Sequence, residues 1–320
     1  MSDTGGRDPL GPLRPGDRVA VVAPSGPAPA GQLDRATALL RSWQLAPVVF
    51  PSAAVIAPGS GVDGRSRPLG HYLAGPDARR AEDLQTAWCD PGIAGIFCLR
   101  GGYGSIRVLD LLDREAFAAA APKPLYGSSD ITGIHEWLHD HLGVASWFTP
   151  MVGTASLLDD EVAARQLRDA VLTPYRGRVW RSDAAVTLVP GRATGTLIGG
   201  NLSLLAMTVG ARRRPPVDHT GAVVLLEDVN EDTYRVDGYL HALLRSGWFD
   251  GIAAVVLGSW HRCGPVAEIH DLVVELLGPL GVPIVGELGF GHGPGAASLP
   301  LGVSANVLAD DSPQLALASP

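Results

Sequence analysis

The chain has 320 residues, of which 46% are hydrophobic and 18% are charged, and this composition excludes an intrinsically disordered protein. Its 25 Lys and Arg against 33 Asp and Glu give a formal net charge of −8, which argues against non-specific binding to nucleic acid and to anionic membrane surfaces. The 40 Gly and 26 Pro are scattered without a three-residue period, so a collagen is also excluded. A chain of this length favours two domains.

The three cysteines, Cys89, Cys98 and Cys263, form no Cys-x-x-Cys motif, and each stands among apolar residues. An odd number in such a context is typical of reduced thiols in a cytosol-like compartment. The first residues lack the apolar stretch of a secretory signal, and no run of about 20 apolar residues predicts a transmembrane helix. We therefore expect a cytoplasmic protein.

Strands and helices alternate regularly in the first half of the chain. Apolar runs predict strands over 18–23, 47–50, 93–99 and 124–127, and helical spacing predicts helices over 32–44, 77–88, 105–112, 131–141 and 157–172. Strand–turn–helix units in this rhythm imply a parallel sheet covered by helices.

The second half contains another apolar section. Predicted strands cover 194–198, 222–226, 252–257 and 282–285, and predicted helices cover 202–208, which Asn201 is suited to cap, and 234–246. The expected organisation is a flexible tail over 1–16, an N-terminal domain over 17–172, a linker over 173–192, a C-terminal domain over 193–310 and a frayed tail over 311–320.

A serine pair lies at the turn between the predicted strand 124–127 and the helix that follows. In Gly127-Ser128-Ser129-Asp130, a serine hydroxyl at such a turn projects above the sheet, where helix N-terminal N–H groups stabilise a developing oxyanion. The G-x-S-x-G elbow of α/β-hydrolases is not matched, because Ile131 stands in place of the second glycine. The alternative is that Ser128 or Ser129 only caps the helix.

Three other segments carry residues suited to chemistry. The glycines of Arg100-Gly101-Gly102-Tyr103-Gly104 let backbone N–H groups approach a ligand, although a plain tight turn is the alternative. Glu227 ends a very apolar strand, where a carboxylate is either paired or, as the alternative, solvated at the strand end. His292 stands on a glycine-rich loop, a position that suits a general base and equally a surface histidine.

A zinc site is a further hypothesis. The segment from His135 to His139 matches H-E-x-x-H on a predicted helix, and this spacing places both imidazoles on one face with Glu136 as a base for zinc-bound water. No third ligand is identifiable, and Ile134, Trp137 and Leu138 are typical of a packing helix, so a structural role for His135 is the alternative.

Taken together, six segments resemble those of one family, the LD-carboxypeptidases, family S66 of the serine peptidases. In chain order they are VAVVAPSGP from Val19, CLRGGYGSIRVLDLLD from Cys98, KPLYGSSDITGIH from Lys123, GTLIGGNLSLL from Gly195, LLEDVNEDTYRVDGYL from Leu225 and GFGHGPGAASLPLG from Gly289. The resemblance runs from about residue 17 to residue 308, and six segments in the family's order are specific.

The resemblance implies a catalytic triad of serine, glutamate and histidine. The family's S-D-I-T frame places the serine on Ser129, although the family usually has a bulky residue where this chain has Ser128. The L-E-D motif places the glutamate on Glu227, and the G-H motif places the histidine on His292. These residue types suit acyl transfer, with serine as the nucleophile, histidine as the base and glutamate orienting the imidazole.

The resemblance also implies the surroundings of that triad. Backbone N–H groups of Asp130 and of Gly101 or Gly102 are expected to form the oxyanion hole. The expected fold is α/β, with an N-terminal doubly wound parallel-sheet domain, a smaller C-terminal β-rich α/β domain and the active site in the interdomain cleft. Neither a cofactor nor a metal is implied, because the family carries a histidine at the position of His135 without a metal role. Family members are commonly homodimers.

The implied substrate is a small peptide. The family's best-known activity releases terminal D-alanine from an L,D-linked murein tetrapeptide in cell-wall recycling. Arg100, Arg107 and Arg235 near the motifs, with Tyr103 in the glycine loop, are candidates for binding it, and ordinary surface positions are the alternative.

Other functions stay open at this point. A second branch of the family gives immunity by cleaving the amide of microcin C-type aminoacyl- or peptidyl-nucleotide antibiotics, and Trp180 is the one candidate to stack on the base. From different classes come a zinc hydrolase that uses His135 and His139, and a non-catalytic sensor that binds murein fragments.

Overall fold

The computed structural model describes residues 8–57, 70–211 and 218–317. The chain divides into two units, Met1–Pro174 and Tyr175–Pro320. Both units are mixed α/β structures, so the expected fold class, a parallel-sheet unit followed by a smaller β-rich α/β unit, is confirmed. The three cysteines are free thiols.

The first unit is built on a parallel sheet. Its strands are β1 (Arg18–Val22), β2 (Ala46–Val49), β3 (Gly95–Cys98), β4 (Leu125–Gly127) and β5 (Ser146–Phe148). They lie in the order β5-β4-β3-β1-β2, and every neighbouring pair is parallel. Because the chain moves outward in opposite directions from β1, the strand order reverses between β1 and β3, and ligands of such sheets bind beyond the carboxyl ends at that point.

Helices connect these strands. They are α1 (Gln32–Ser42), α2 (Asp77–Cys89), α3 (Ser105–Val108), α4 (Arg114–Ala119), α5 (Thr132–Leu142), α6 (Ala155–Leu158) and α7 (Glu161–Leu172). One core cluster contains Ile96 and Leu125 from the strands and Leu84, Trp88 and Ile134 from α2 and α5. The apolar residues of each strand thus meet the apolar face of the helices, as the sequence pattern predicts.

The second unit has a mixed sheet. Its strands are β6 (Val179–Trp180), β7 (Val186–Val189), β8 (Gly191–Asn201), β9 (Val223–Val229), β10 (Ala254–His261), β11 (Ile284–Gly286), β13 (Ser304–Ala309) and β14 (Gln314–Leu317). The short strand β12 (Leu299–Leu301) lies outside this sheet. The sheet order is β6-β14-β13-β8-β9-β10-β11-β7. The four central strands are parallel, and antiparallel strands flank them on both sides.

Three helices of the second unit pack against this sheet, namely α8 (Leu202–Thr208), α9 (Thr233–Arg245) and α10 (Val266–Leu277). The side chain of Asn201 accepts a hydrogen bond from the N–H of Leu204, as expected of the residue that caps α8. Leu226 of β9, Val255 of β10, Leu240 of α9 and Val273 of α10 lie in one buried core. The helices therefore pack against β9 and β10 through this shared core.

The predicted single helix over 157–172 is two helices. Asp160 interrupts it and accepts hydrogen bonds from the N–H groups of Val162 and Ala163 at 2.9 and 3.0 Å, which caps α7. The predicted helix included Asp160, whereas an aspartate side chain competes for backbone N–H groups and here starts a new helix.

The residues expected to form a linker and two loose tails contain ordered structure. The predicted linker over 173–192 contains β6 and β7, which join the second sheet, and the first residues of β8. Leu10 and Leu13 in the expected N-terminal tail are only 1% and 3% exposed, because apolar side chains dock on the first unit. In the expected C-terminal tail, β14 pairs with β13. No α-helix in the described part of the chain is both long and apolar enough to cross a membrane.

Candidate active site

Ser129 lies on a sharp turn directly after β4. The backbone of Ser128 is extended, Ser129 has a φ of 56°, and a short 3₁₀ turn over Ser129–Ile131 leads into α5. A left-handed conformation is uncommon for a residue with a side chain, and it costs on the order of 1–3 kcal/mol when the surroundings enforce it. Strain of this kind at a strand-to-helix turn is the geometry that presents a serine nucleophile.

Close packing explains the turn's sequence. A Cβ on Gly127 would lie 3.1 Å from the side chain of Ile131 and 3.2 Å from Cβ of Cys98, so a side chain two residues before Ser129 would require these neighbours to move by a few tenths of an ångström. Ile131, which stands where a G-x-S-x-G elbow has its second glycine, therefore packs directly over Gly127. The capping alternative finds no support in the geometry, because no side-chain hydrogen bond caps either the 3₁₀ turn or α5.

The glycine loop after β3 lies against this serine. A Cβ on Gly101 would stand 3.0 Å from Oγ of Ser129 and 3.5 Å from the backbone nitrogen of Asp130. Gly102 and Gly104 have φ values of 103° and 129°, which residues with side chains rarely adopt. The main chain thus approaches the hydroxyl with no side chain between them, as an oxyanion hole made of backbone N–H groups requires.

Glu227 and His292 form a hydrogen-bonded pair in the second unit. Oε2 of Glu227, a fully buried residue on β9, lies 2.6 Å from Nδ1 of His292. With Nδ1–H donating to this carboxylate, Nε2 is left as the acceptor of a neutral imidazole. The imidazole is partly exposed, with 24% of its side-chain surface accessible, so it can meet a reacting group.

Ser259 holds the loop that carries the histidine. Its Oγ accepts hydrogen bonds from the backbone N–H groups of His292 and Gly293, both at 2.9 Å. Ser259 lies where the register between β9 and β10 shifts, and such bulges re-aim side chains beside functional sites. A Cβ on Gly291 would lie 2.6 Å from Oε2 of Glu227, so the loop packs directly on the carboxylate. Sequence reasoning missed Ser259 because one serine in an apolar strand carries no signal.

A second buried carboxylate, that of Asp228, lies beside Glu227 and shares a hydrogen-bond donor with it. Nδ2 of Asn201 donates to Glu227 at 3.2 Å and to Asp228 at 2.9 Å, and Asp228 also accepts from the N–H of Ser203 at 2.8 Å. Burial first, and then the neighbouring charge of Glu227, raise the pKa of Asp228 to about 6. The role of Asn201 as a helix cap was predicted, but its position between two carboxylates follows from its register opposite Glu227 in β8 and β9.

Two opposing effects act on the imidazole of His292. Burial lowers its pKa, whereas the charge and hydrogen bond of Glu227, together with the charge of Asp228, raise it. The net direction is upward from the ordinary value. The pair of carboxylates therefore increases the basicity of His292, which favours its use as a proton acceptor.

The residues expected to bind substrate differ in exposure, and each contacts neighbouring residues of its own unit. Arg100 is half-buried, and its Nη1 donates to the carbonyl of Pro27 at 2.9 Å. Tyr103 is 38% exposed and packs edge-on against Tyr72, with ring centroids 5.8 Å apart. Arg235 is exposed and lies beside Tyr234 and Glu231.

Trp180, the candidate for stacking on a nucleotide base, is not available for this role. It is buried, and its indole N–H donates to the carbonyl of Ser298 at 3.2 Å. The sequence analysis assigned it to a linker, whereas it lies on β6 and faces the interior.

The H-E-x-x-H segment is a structural feature of α5. Both ring nitrogens of His135 are engaged, Nδ1 with Oγ of Ser146 at 2.8 Å and Nε2 with the carbonyl of Gly127 at 2.9 Å. Burial lowers the pKa of His135 to about 4, so the ring is neutral at physiological pH. This geometry leaves His135 no nitrogen for a metal and does not fit the zinc hypothesis. The ring instead ties α5 to the end of β4, directly before the serine turn.

The pairing of Glu227 with His292 generates a direct prediction. Glu227→Gln keeps a hydrogen-bond acceptor for Nδ1 but removes the charge, so the pKa of His292 is expected to fall below its wild-type value. The measurement is an NMR titration of the histidine rings, with His292 assigned from a His292→Gln spectrum.

A matched control uses another histidine–carboxylate pair. Nδ1 of His241 lies 2.7 Å from Oδ1 of Asp237 on the surface of α9. Asp237→Asn is expected to leave the titration of His292 unchanged. Identical His292 titrations in wild type and Glu227→Gln would contradict the pairing.

The chain is similar to known proteins in both of its units. The family model described as the LD-carboxypeptidase N-terminal domain matches residues 19–149, and that of the LD-carboxypeptidase C-terminal domain matches residues 194–307. A carboxypeptidase-named protein of Streptomyces coelicolor is 46% identical over 93% of this chain and 92% of its own length. The murein tetrapeptide carboxypeptidase of Pseudomonas aeruginosa is 33% identical over 90% of this chain and 92% of its own.

Solved structures show the same architecture. The muramoyltetrapeptide carboxypeptidase of Oxalobacter formigenes is similar with a TM-score of 0.75 and 26% identity, over 95% of this chain and 99% of that one. The microcin C7 self-immunity protein MccF has the same fold, with a TM-score of 0.81 at 19% identity over 97% of this chain and 98% of its own. The two family models together span most of the chain, and the chain belongs to the LD-carboxypeptidase family of peptidases.

Proposed function

We propose that the protein is a serine LD-carboxypeptidase that releases the terminal D-alanine of an L,D-linked murein tetrapeptide in cell-wall recycling. Ser129 is the nucleophile, His292 the general base and Glu227 the residue that orients the imidazole. The observation that carries this proposal is the 2.6 Å hydrogen bond between Glu227 and His292, which prepares a base for a serine that the first unit presents in a strained turn. The proposal requires that the two units bring Oγ of Ser129 to Nε2 of His292.

The chemistry follows from these positions. Oγ of Ser129 attacks the amide carbonyl while Nε2 of His292 takes the hydroxyl proton, and the carbonyl π electrons move onto oxygen. Collapse of the tetrahedral intermediate breaks the C–N bond, and His292 returns the proton to the departing amine of D-alanine. Water then attacks the carbonyl carbon of the acyl-enzyme while His292 takes its proton. The bond to Oγ of Ser129 breaks, His292 returns the proton to Oγ, and the shortened peptide leaves. Because His292 must be neutral to act, its raised pKa predicts that activity declines as the pH falls through that value.

Stabilisation of the oxyanion is assigned to main-chain groups. The N–H of Asp130 and those of Gly101 and Gly102 are the proposed donors, because the Gly101 backbone lies directly against Oγ of Ser129. Donors on a rigid backbone cost no reorganisation during the reaction, and each contributes about 3–4 kcal/mol in comparable sites.

The substrate assignment rests on the relatives. Proteins named for murein peptides match this chain over most of its length, at 33% identity in Pseudomonas aeruginosa and 29% in Bacillus subtilis. The alternative is a microcin C-type immunity peptidase that cleaves aminoacyl- or peptidyl-nucleotides, since MccF, whose structures hold glutamyl sulfamoyl guanosine and aspartyl sulfamoyl adenosine, has the same fold. The burial of Trp180 removes the one base-stacking residue that the sequence offered, and this favours the murein peptide.

The decisive experiment compares Ser129→Ala with the adjacent Ser128→Ala. D-alanine release from a murein tetrapeptide is measured for both variants, for wild type and for wild type in chelator. Ser129→Ala is expected to lower kcat by about 10⁴-fold or more, because it removes the nucleophile. Ser128 is buried, and its N–H contacts Sδ of Met151 at 3.2 Å, so Ser128→Ala is the matched control and is expected to keep activity in the wild-type range.

Each outcome is informative. Full activity in Ser129→Ala, or loss in chelator, contradicts the serine mechanism. Release of an aminoacyl group from a sulfamoyl nucleoside by a wild-type enzyme that does not cleave the tetrapeptide would assign the chain to the immunity reaction instead.

Gly101 offers a second test of the same site. In Gly101→Ala the new methyl would stand 3.0 Å from Oγ of Ser129, in the space that the substrate carbonyl needs. The expected result is a loss of about 10²-fold in kcat/KM after correction for the folded fraction, which thermal unfolding reports. Gly238→Ala is the control, because a Cβ there meets nothing within 4 Å. Equal activity of the two variants would contradict the placement of the oxyanion site.

A further inference from the structure

Arg80 on α2 is a fully buried charge. Its guanidinium donates to the backbone carbonyls of Pro24, Gly104 and Gly75, with the last two at 2.8 and 3.3 Å, and it pairs with Asp77. One side chain thus connects the loop after β1, the loop after β3 and the segment before α2. Its neighbour Arg79 is exposed and pairs with Glu82 on the same helix.

Asp130, directly after Ser129, is also fully buried. Its Oδ2 accepts from Oγ of Ser25 at 2.5 Å and from the N–H of Ser105 at 2.7 Å. Oγ of Ser105 in turn donates to the backbone carbonyl of Asp130. Both the side chain and the main chain of Asp130 are therefore fixed by residues from the ends of β1 and β3.

The two charged side chains hold the same two segments. Arg80 binds the carbonyl of Pro24 and that of Gly104, and Asp130 binds the next residue in each case, Ser25 and Ser105. Burial lowers the pKa of Arg80, and the charge of Asp130 is among the effects that oppose this. The hydrogen bonds of Arg80 and of Oδ2 of Asp130 restrain the loops that they join, whereas Oδ1 of Asp130 is buried with no hydrogen-bond partner among the described residues.

The held segments are those that surround the nucleophile. The loop from Arg100 to Gly104 begins at the end of β3, and its Gly101 lies against Oγ of Ser129, while Ser129 itself precedes Asp130. The left-handed φ of 56° at Ser129 needs surroundings that enforce it, and the bonds to Asp130 supply this restraint.

We propose that Arg80 and Asp130 form a clamp of positioning residues that fixes Ser129 relative to the N–H groups of Gly101 and Gly102. This inference rests on the proposed function, because it assigns the clamp to the nucleophile of that reaction. The clamp acts on the chemical step and not on substrate affinity, since neither charged group is accessible.

The test uses Arg80→Lys, which keeps the charge but not the forked donors, and Ser105→Ala, which removes one hydroxyl and is expected to fold. Arg79→Lys is the matched control. Both test variants are expected to lower kcat for D-alanine release by about 10- to 100-fold with KM within twofold of wild type, as expected for a misplaced nucleophile. Thermal unfolding reports the folded fraction, for which the rates are corrected.

A second measurement tests the clamp independently of which substrate the enzyme cleaves. The rate at which a small phosphonyl fluoride labels Ser129 is measured by mass spectrometry, and it is expected to fall in Arg80→Lys and Ser105→Ala but not in Arg79→Lys. Wild-type labelling without D-alanine release would overturn only the substrate assignment. Wild-type rates of both labelling and release in folded Arg80→Lys and Ser105→Ala would overturn the clamp, as would a change confined to KM.

Discussion

The carboxylate of Glu227 is fully buried at the end of an apolar strand, and a charge in that position is tolerated only if it is paired and hydrogen-bonded. Its two oxygens are taken by Nδ2 of Asn201 and Nδ1 of His292. This one constraint orients the imidazole, fixes its tautomer and increases its basicity. Two neighbours keep Glu227 and His292 together. Ser259 binds the loop that carries His292, and Gly291 packs directly on the carboxylate of Glu227.

The first unit also contains buried charged side chains that are hydrogen-bonded, namely Arg80 and Asp130. There the buried polar groups bond mostly to backbone and hydroxyl groups of loops, so they restrain main-chain geometry and do not activate a base. The strained turn at Ser129 and the bare backbone of Gly101 are the parts of the structure that benefit. The strained backbone at Ser129 thus lies among loops that buried hydrogen bonds hold, and those bonds offset the cost of the strain.

Much of this was predictable from local sequence. The apolar runs at β1, β3, β9 and β10 predicted strands, Asn201 predicted a helix cap, and the six family segments singled out Ser129, Glu227 and His292. What local patterns missed depends on partners far away in the chain. Arg80 reads as one more charge on an exposed helix face, because the carbonyls that bury it come from loops before and after α2. The short strands β5, β6 and β7 have too few residues to show a period, and only their sheet neighbours define them.

The proposed function requires that Ser129 and His292, which belong to different units, act as one catalytic group. A double-mutant cycle measures this most directly, through kcat/KM for D-alanine release by Ser129→Ala, His292→Ala and the double variant. The account predicts that the double variant loses no more than the worse single variant, because removal of either residue already abolishes the same step. Losses that multiply, so that the double variant falls by the product of the two single effects, would show that the residues act independently and would contradict the account.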